Sequence, residues 1–409
     1  MIGGAAGLIL IVAGAVLAAP GLIVVGVVVL IIWALRSLWS RFGLRAVTYE
    51  RRLDAVRAAV GDEIGLELTV RNRKLLPVPW LQVEDQISDA ATVADRQLEP
   101  SDAPGYRMLR TTWTLGWYER VTRRLRIVAD RRGVYELRRP TLSVADIFSR
   151  ESVSEERESR VRYRIVPRSV PVRAHAPLSR MPGAARVQRG LFEDPSLFAG
   201  VRPYQAGDSL RRVHWRATAR LGKPVSRRYE PAQERELVIA LDVQTLAGQY
   251  WIMHYDSELI EALTTAALSL ARSLVTSGVA CGLAANGWSE HMARWVYLAP
   301  SASSAQIDRI ADELAGLSRW PSLPFAMVLD RLGRRVPPQT GIVALSGRDG
   351  ADFTPVLARL AATGREASLL AMGDSARDAM ARARAARVTG SVARLSPNWR
   401  LAVALDLVG

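Results

Sequence analysis

From Ile2 to Leu35 the chain carries no charged side chain. One membrane span needs roughly 20 apolar residues, so this run must leave water or be buried whole. Pro20-Gly21 breaks it into Ile2–Ala19 and Leu22–Leu35, a proline-glycine pair being a turn signal. At about 1.5 Å per residue each half is short for a hydrocarbon core of about 30 Å. Two readings stay open. One is a tight helical hairpin with thin spans; the other is a single span ending near Leu35 behind a loose apolar lead. A removable secretory leader is not expected, since no basic stretch opens the run and no small-residue cleavage site precedes a polar start.

The flank of the run is basic. Between Arg36 and Arg57 stand six arginines, against Glu50 and Asp54. Positive flanks stay in the cytoplasm, so both readings place the rest of the chain on the cytoplasmic side. The single cysteine, Cys281, fits a reducing compartment. It also excludes a disulfide scaffold and a cysteine-based zinc site.

The 409 residues predict more than one domain. About half are apolar, with 11 tryptophans, which suits packed cores rather than disorder. The net charge of +15 is almost all arginine, Lys74 and Lys223 being the only lysines. Such a balance reflects either a compositional bias of the genome or an anionic partner.

Four regions follow: 1–36 as the transmembrane segment, 37–168 as a β-sandwich domain, 169–235 as a linking block and 236–409 as an α/β domain. In the second, Ile64, Leu66, Leu68 and Val70 alternate with polar residues, the period-two pattern of a half-buried strand. Trp80–Ile87, Met108–Leu115, Val121–Val128 and Val134–Leu137 are further extended runs, and such spacing suggests an immunoglobulin-like sandwich. Trp80, Trp113 and Trp117 are expected at its core or rim. The charge run Glu151–Arg160 reads as a solvated loop, and 172–195 as irregular.

Beyond Glu236 strand and helix patterns alternate. Leu237–Leu241, Val279–Leu283, Ile342–Leu345 and Ala367–Met372 read as buried strands, which predicts a doubly wound sheet. Asp256 and Ser375 are expected to cap helices.

The densest local signal lies between these parts. Arg202 to Tyr229 holds seven arginines and Lys223 against Asp208 alone. Such charge cannot be buried unpaired, so it reads as a solvated basic face or a patch for an acidic partner. Asp208 or Ser209 is expected to cap a short helix over Leu210–Trp215, ended by Gly222-Lys223-Pro224.

The block closely resembles the signature of the bacterial family called domain of unknown function 58. The residues carrying the resemblance are Arg202, Pro203, Tyr204, Gly207, Asp208, Arg211, His214, Trp215, Ala217, Ala219 and Arg220, with Arg212 beside them; Asn72 to Pro77 adds a family-like Asn-Arg-x-x-x-Pro stretch. The resemblance implies a von Willebrand factor A-like α/β domain, a bacterial inner-membrane location and a MoxR-type AAA+ ATPase as partner.

Two places could carry chemistry. A von Willebrand A domain often holds magnesium on Asp-x-Ser-x-Ser, and here Asp242 is followed by Gln244 and Leu246 where hydroxyls belong. Asp349 is a second weak candidate, and a pairing of Asp242 with an arginine is the expected alternative. Asp208, Ser209 and His214 lie close in sequence, but a triad is recognised by geometry. The chain has no Walker A pattern. The reading is a non-enzymatic adaptor without a cofactor and without specific nucleic-acid binding. Its alternatives are an enzyme built on 202–220 and an arginine-driven binder of anionic lipid or nucleic acid.

Overall fold

The computed structural model describes residues 2–408 apart from 90, 146–151, 175–184, 206–212, 252–253 and 397. The chain is mixed α and β and divides into two compact units, Met1–Val166 and Pro167–Gly409.

The first unit opens with α1 (Ile2–Val16) and α2 (Pro20–Phe42). Proline suits the first turn of α2, where its missing N–H has no intrahelical partner. The two helices pack against each other through glycine. A Cβ on Gly26 would lie 2.8 Å from the Gly7 carbonyl, and one on Gly14 2.9 Å from the Ile23 nitrogen. Small residues let helix backbones approach in this way within membranes. α2 does not end at Leu35; it continues past Arg36 and Arg41, because charge does not break a helix, and stops before Gly43. By length and composition α2 is able to cross a membrane, whereas α1 is shorter.

Twelve strands follow: β1 (Val47–Leu53), β2 (Arg57–Ala59), β3 (Glu63–Asn72), β4 (Val78–Ser88), β5 (Thr92–Val93), β6 (Glu99–Pro100), β7 (Tyr106–Leu115), β8 (Arg120–Val128), β9 (Gly133–Leu137), β10 (Thr141–Ala145), β11 (Ser152–Glu156) and β12 (Val161–Val166). They make sheets of order β1-β3-β8-β5, β11-β10-β4-β7-β6 and β2-β12-β9. The alternation predicted for β3 holds, with Ile64, Leu66, Leu68 and Val70 all essentially inaccessible. The first two sheets meet at a buried polar contact. Asp85 of β4 accepts from the Tyr49 hydroxyl at 2.5 Å and from Arg51 at 2.9 Å, both on β1.

Two expectations need correction here. Trp113 is a core residue, but Trp117 is 71% exposed, because it sits in the turn between β7 and β8, outside the strands' alternation. The charge run 151–160 is not all loop: β11 pairs with β10 as an edge strand. Charged side chains on an edge strand stay in water and discourage further pairing.

The second unit is built on one large sheet. Its strands are β13 (Val172–Ala174), β14 (Ala185–Pro203), β15 (Val225–Leu241), β16 (Ala280–Ala285), β17 (Val296–Ser301), β18 (Gly341–Ser346), β19 (Ala367–Ala371), β20 (Thr389–Ser396) and β21 (Ala404–Val408). The order is β13-β21-β20-β19-β18-β15-β16-β17, with β14 paired to β15. β16, β15, β18, β19 and β20 run parallel. Of the segment 172–195, expected to be irregular, 172–174 form β13, 175–184 lie outside the described residues and 185–195 belong to β14, whose register shifts repeatedly around Pro195; edge position and bulges are where a strand tolerates proline.

The helices are α3 (Trp215–Leu221), α4 (Ser257–Thr276), α5 (Ala305–Gly316), α6 (Phe325–Arg335), α7 (Thr354–Ala362) and α8 (Ala376–Ala385). Val238, Ala240, Ile342, Ala344 and Leu369 pack with Phe325, Phe353 and Met380 of the α6–α8 region. The intervening strand residues Leu237, Ile239, Leu241, Val343 and Leu345 are equally buried, which explains the unbroken apolar runs in the sequence. Asp256 caps α4 as expected, accepting from the nitrogens of Glu258 and Leu259. Ser375 precedes α8 but makes no side-chain cap bond. α4 is apolar but mostly buried, a core helix.

Candidate functional site

Two places in the second unit concentrate polar chemistry, and they lie at opposite ends of β15. That strand has 17 residues, up to about 55 Å at 3.3 Å each. The structure therefore does not bring the described part of the signature block and Asp242 together.

At the start of β15 the signature block folds back on itself. Tyr204 N donates to Pro224 O and His214 N to Val225 O. The described helix here is α3, Trp215–Leu221; of the span 210–215 expected to be helical, 210–212 lie outside the described residues and Val213 forms a bridge to Ser226. The cap of α3 is His214, whose Nδ1 accepts from Ala217 N at 3.1 Å. Gly207, Asp208, Ser209, Arg211 and Arg212 lie outside the described residues. Gly222 ends the helix in the left-handed conformation, φ 63°, which glycine adopts without a Cβ clash. Trp215 is 66% exposed, and Leu221 is 60% exposed. Arg216, Arg220, Lys223 and Arg227 are exposed as well, while Arg202 and Tyr204 are half-buried. The described part of the block is a basic surface carrying two large apolar side chains.

At the other end, three strands each finish on a polar residue. Asp242 follows β15, Asn286 follows β16 and Ser346 closes β18. From β15 the chain passes to β16 on one side, and later to β18 on the other, so this is the switch point where open α/β sheets bind ligands. Asp242 is wholly buried. Its Oδ1 accepts from Gln244 N and Asn286 Nδ2. Its Oδ2 accepts from Ser346 Oγ and Arg348 Nε, each at 2.9 Å. Arg348 also bonds Asp352. Burial pushes the Asp242 carboxyl up, and Arg348, Ser346 and Asn286 pull it back. Burial lowers Arg348, but Asp242 and Asp352 outweigh it and hold the guanidinium above its ordinary value.

These residues do not fit magnesium. The carboxylate's acceptor positions are taken by four donors, one of them a cation, and Gln244 turns its amide nitrogen to the Leu246 and Gly248 carbonyls. Asp349 does not join Asp242; it pairs with Arg382 at 3.2 Å. Among the described residues no group of three or more metal-ligating side chains gathers. Asp242 was legible in the sequence, whereas Asn286, Ser346 and Arg348 were missed. A signal existed for the first two of these: each is the first polar residue after an apolar strand run.

Beside this edge opens a cleft of about 850 Å³, lined among others by Thr245, Asp256, Glu258, Gly347, Asp374 and Trp399. Trp399 Nε1 donates to Glu258 at 2.7 Å, and Thr245 Oγ1 accepts from Asp256 N at 2.7 Å.

Residues 200–371 match the family described as "Protein of unknown function DUF58". This places that stretch of the chain in the DUF58 family. The DUF58 region takes in α3, all of β15 and the switch point, so both places described above fall within it. A relative is the uncharacterized protein YeaD of Bacillus subtilis (strain 168), 20% identical over 294 residues, covering 68% of this chain and 69% of the relative. Among solved structures, a CARDB domain from Pyrococcus furiosus is 16% identical and covers 29% of this chain and 89% of that one, with a TM-score of 0.20. A trypsin-activated alpha-2-macroglobulin from Escherichia coli is 18% identical and covers 41% and 9%, with a TM-score of 0.22. Overlaps that small carry no argument about fold or function.

Proposed function

We propose that the protein is a non-enzymatic adaptor of the bacterial inner membrane, anchored by α2, with both units facing the cytoplasm. Its partner is a MoxR-type AAA+ ATPase, which it couples to client proteins in complex assembly or maturation. In this reading the strands of the first unit form an immunoglobulin-like sandwich. The second unit is von Willebrand factor A-like, with an internal arginine where such domains often hold a metal.

One observation carries the reading: α3 exposes Trp215 and Leu221 amid Arg216, Arg220 and Lys223. Aromatic anchors with arginine are the composition of protein-binding hot spots, and the charge suits an acidic surface. His214 spends Nδ1 on a backbone N–H, a capping duty that favours a structural role over general-base chemistry. The test is capture of the ATPase by the detergent-solubilised full-length chain, with and without ATP and magnesium. Nucleotide-dependent capture that is lost on reversing Arg216 and Arg220 to Glu supports the reading. Capture that survives the reversal moves the interface to the cleft beside Asp242.

A further inference from the structure

The loop after β3 is fastened to the end of α2. Asn72 is fully buried. Its Nδ2 donates to Leu76 O at 2.9 Å and to Gly116 O at 2.7 Å. Its Oδ1 accepts from Lys74 Nζ at 3.1 Å. Lys74 Nζ also donates to Gly43 O, at the C-terminal end of α2, at 2.8 Å. From α2 itself, Trp39 Nε1 donates to Pro77 O at 3.0 Å. Tyr118 N donates to Lys74 O, which ties in the turn between β7 and β8.

Trp39 stands three residues beyond Arg36, the first charge after the apolar run, hence about 4–5 Å further along the helix. The headgroup zone of a bilayer is about 5–8 Å deep on each side. The loop bonded to Trp39 therefore lies at headgroup height when α2 spans, and its second tie, at Gly43, about 10 Å beyond Arg36, lies just outside that zone. This loop and the turn tied to it expose Leu75, Trp117 and Tyr118 by 70, 71 and 63%. Arg71, Arg73 and Arg120 are exposed beside them. The one carboxylate in the two loops, Glu119, accepts from Gly116 N inside the turn. Tryptophan and tyrosine favour the membrane interface, where one end of the ring is apolar and the other wet. Basic side chains near it are drawn to anionic lipid.

We propose that this ledge, formed by residues 71–77 and 116–120, binds the anionic headgroup layer of the bilayer that α2 enters. Trp117 and Tyr118 settle among the headgroups, and Arg71, Arg73 and Arg120 meet their phosphates. The proposal rests on α2 being a membrane span. It also accounts for the Asn72–Pro77 stretch, in which Asn72 and Lys74 hold the ledge at a set height on the anchor.

The test uses the full-length chain in phosphatidylcholine vesicles with and without phosphatidylglycerol. Leu75→Cys carries an environment-sensitive label, leaving both aromatics in place. Val56→Cys is the control; it is 65% exposed and lies near the opposite end of β3, about 25 Å away. Cys281 is buried, with its thiol pushed up to about 12, so it does not take the label. The expected result is that position 75 is shielded from an aqueous quencher several-fold more than position 56. The shielding should need phosphatidylglycerol and should fall in a Trp117→Ser, Tyr118→Ser background. Equal quenching at both positions, in chain that survives an alkaline wash of the vesicles, overturns the ledge but keeps the span. Loss of the chain in that wash overturns the span and the ledge with it. Shielding that does not need the anionic lipid overturns the assignment to anionic headgroups.

Discussion

Arg348 lies 2.8 Å from Asp242 Oδ2, with 6% and 0% of the two side chains exposed. This pair sits at the switch point of the large sheet and holds β15, β18 and the loop after β18 in one network. An internal cation there leaves the carboxylate with no reason to recruit another. Arg348→Ala should therefore destabilise the chain by about 3–5 kcal/mol, the cost of stranding a buried charge. Adding Asp242→Asn should recover part of that loss. Chemical denaturation of the three variants checks this. In the same assay millimolar magnesium should leave the wild-type midpoint unmoved.

The exposed residues of α3 should behave oppositely. Trp215→Ala and Leu221→Ala touch no packed core, so each should change stability by no more than about 0.5 kcal/mol. Both should weaken capture of the ATPase. A thermal melt beside a pull-down separates the two effects.

Asn72 is predicted to be structural. Asn72→Ala leaves the Leu76 and Gly116 carbonyls without their buried donor, at a cost of about 2–3 kcal/mol. Urea unfolding followed by tryptophan fluorescence measures it.

Lys74 supplies a pH dependence. Burial lowers its pKa from 10.5 to about 8. Between those values the unfolded chain holds this proton and the folded chain does not, so stability rises with pH across that window. Below about pH 8 both states are protonated and the contribution is flat. The urea midpoint of the wild type should climb from pH 8 to 10.5 relative to that of Lys74→Met.

How far the sequence foretold this structure depends on the kind of signal. β3 was legible because Ile64, Leu66, Leu68 and Val70 alternate, and the parallel strands because their apolar runs are unbroken. Asp256 was legible as a cap because its bonds are local. The partners of Asp242 were not, since Ser346 and Arg348 lie 104 and 106 residues away in the chain, and only the sheet order brings them together. Trp117 misled for a related reason: a tryptophan promises burial, and nothing in the local pattern says that it falls in the turn between β7 and β8. β14 was hidden by Pro195 and the glycines around it, which read as loop until an edge strand with register shifts accommodates them.

Recruitment of an ATPase to a membrane by this chain is tested most directly by sedimenting the purified MoxR-type ATPase with vesicles that carry the full-length protein. With ATP and magnesium the ATPase should pellet with those vesicles and stay in the supernatant with empty ones, and Arg216→Glu with Arg220→Glu should release it. An ATPase that remains soluble in every nucleotide state, while the chain itself pellets, would contradict the adaptor role.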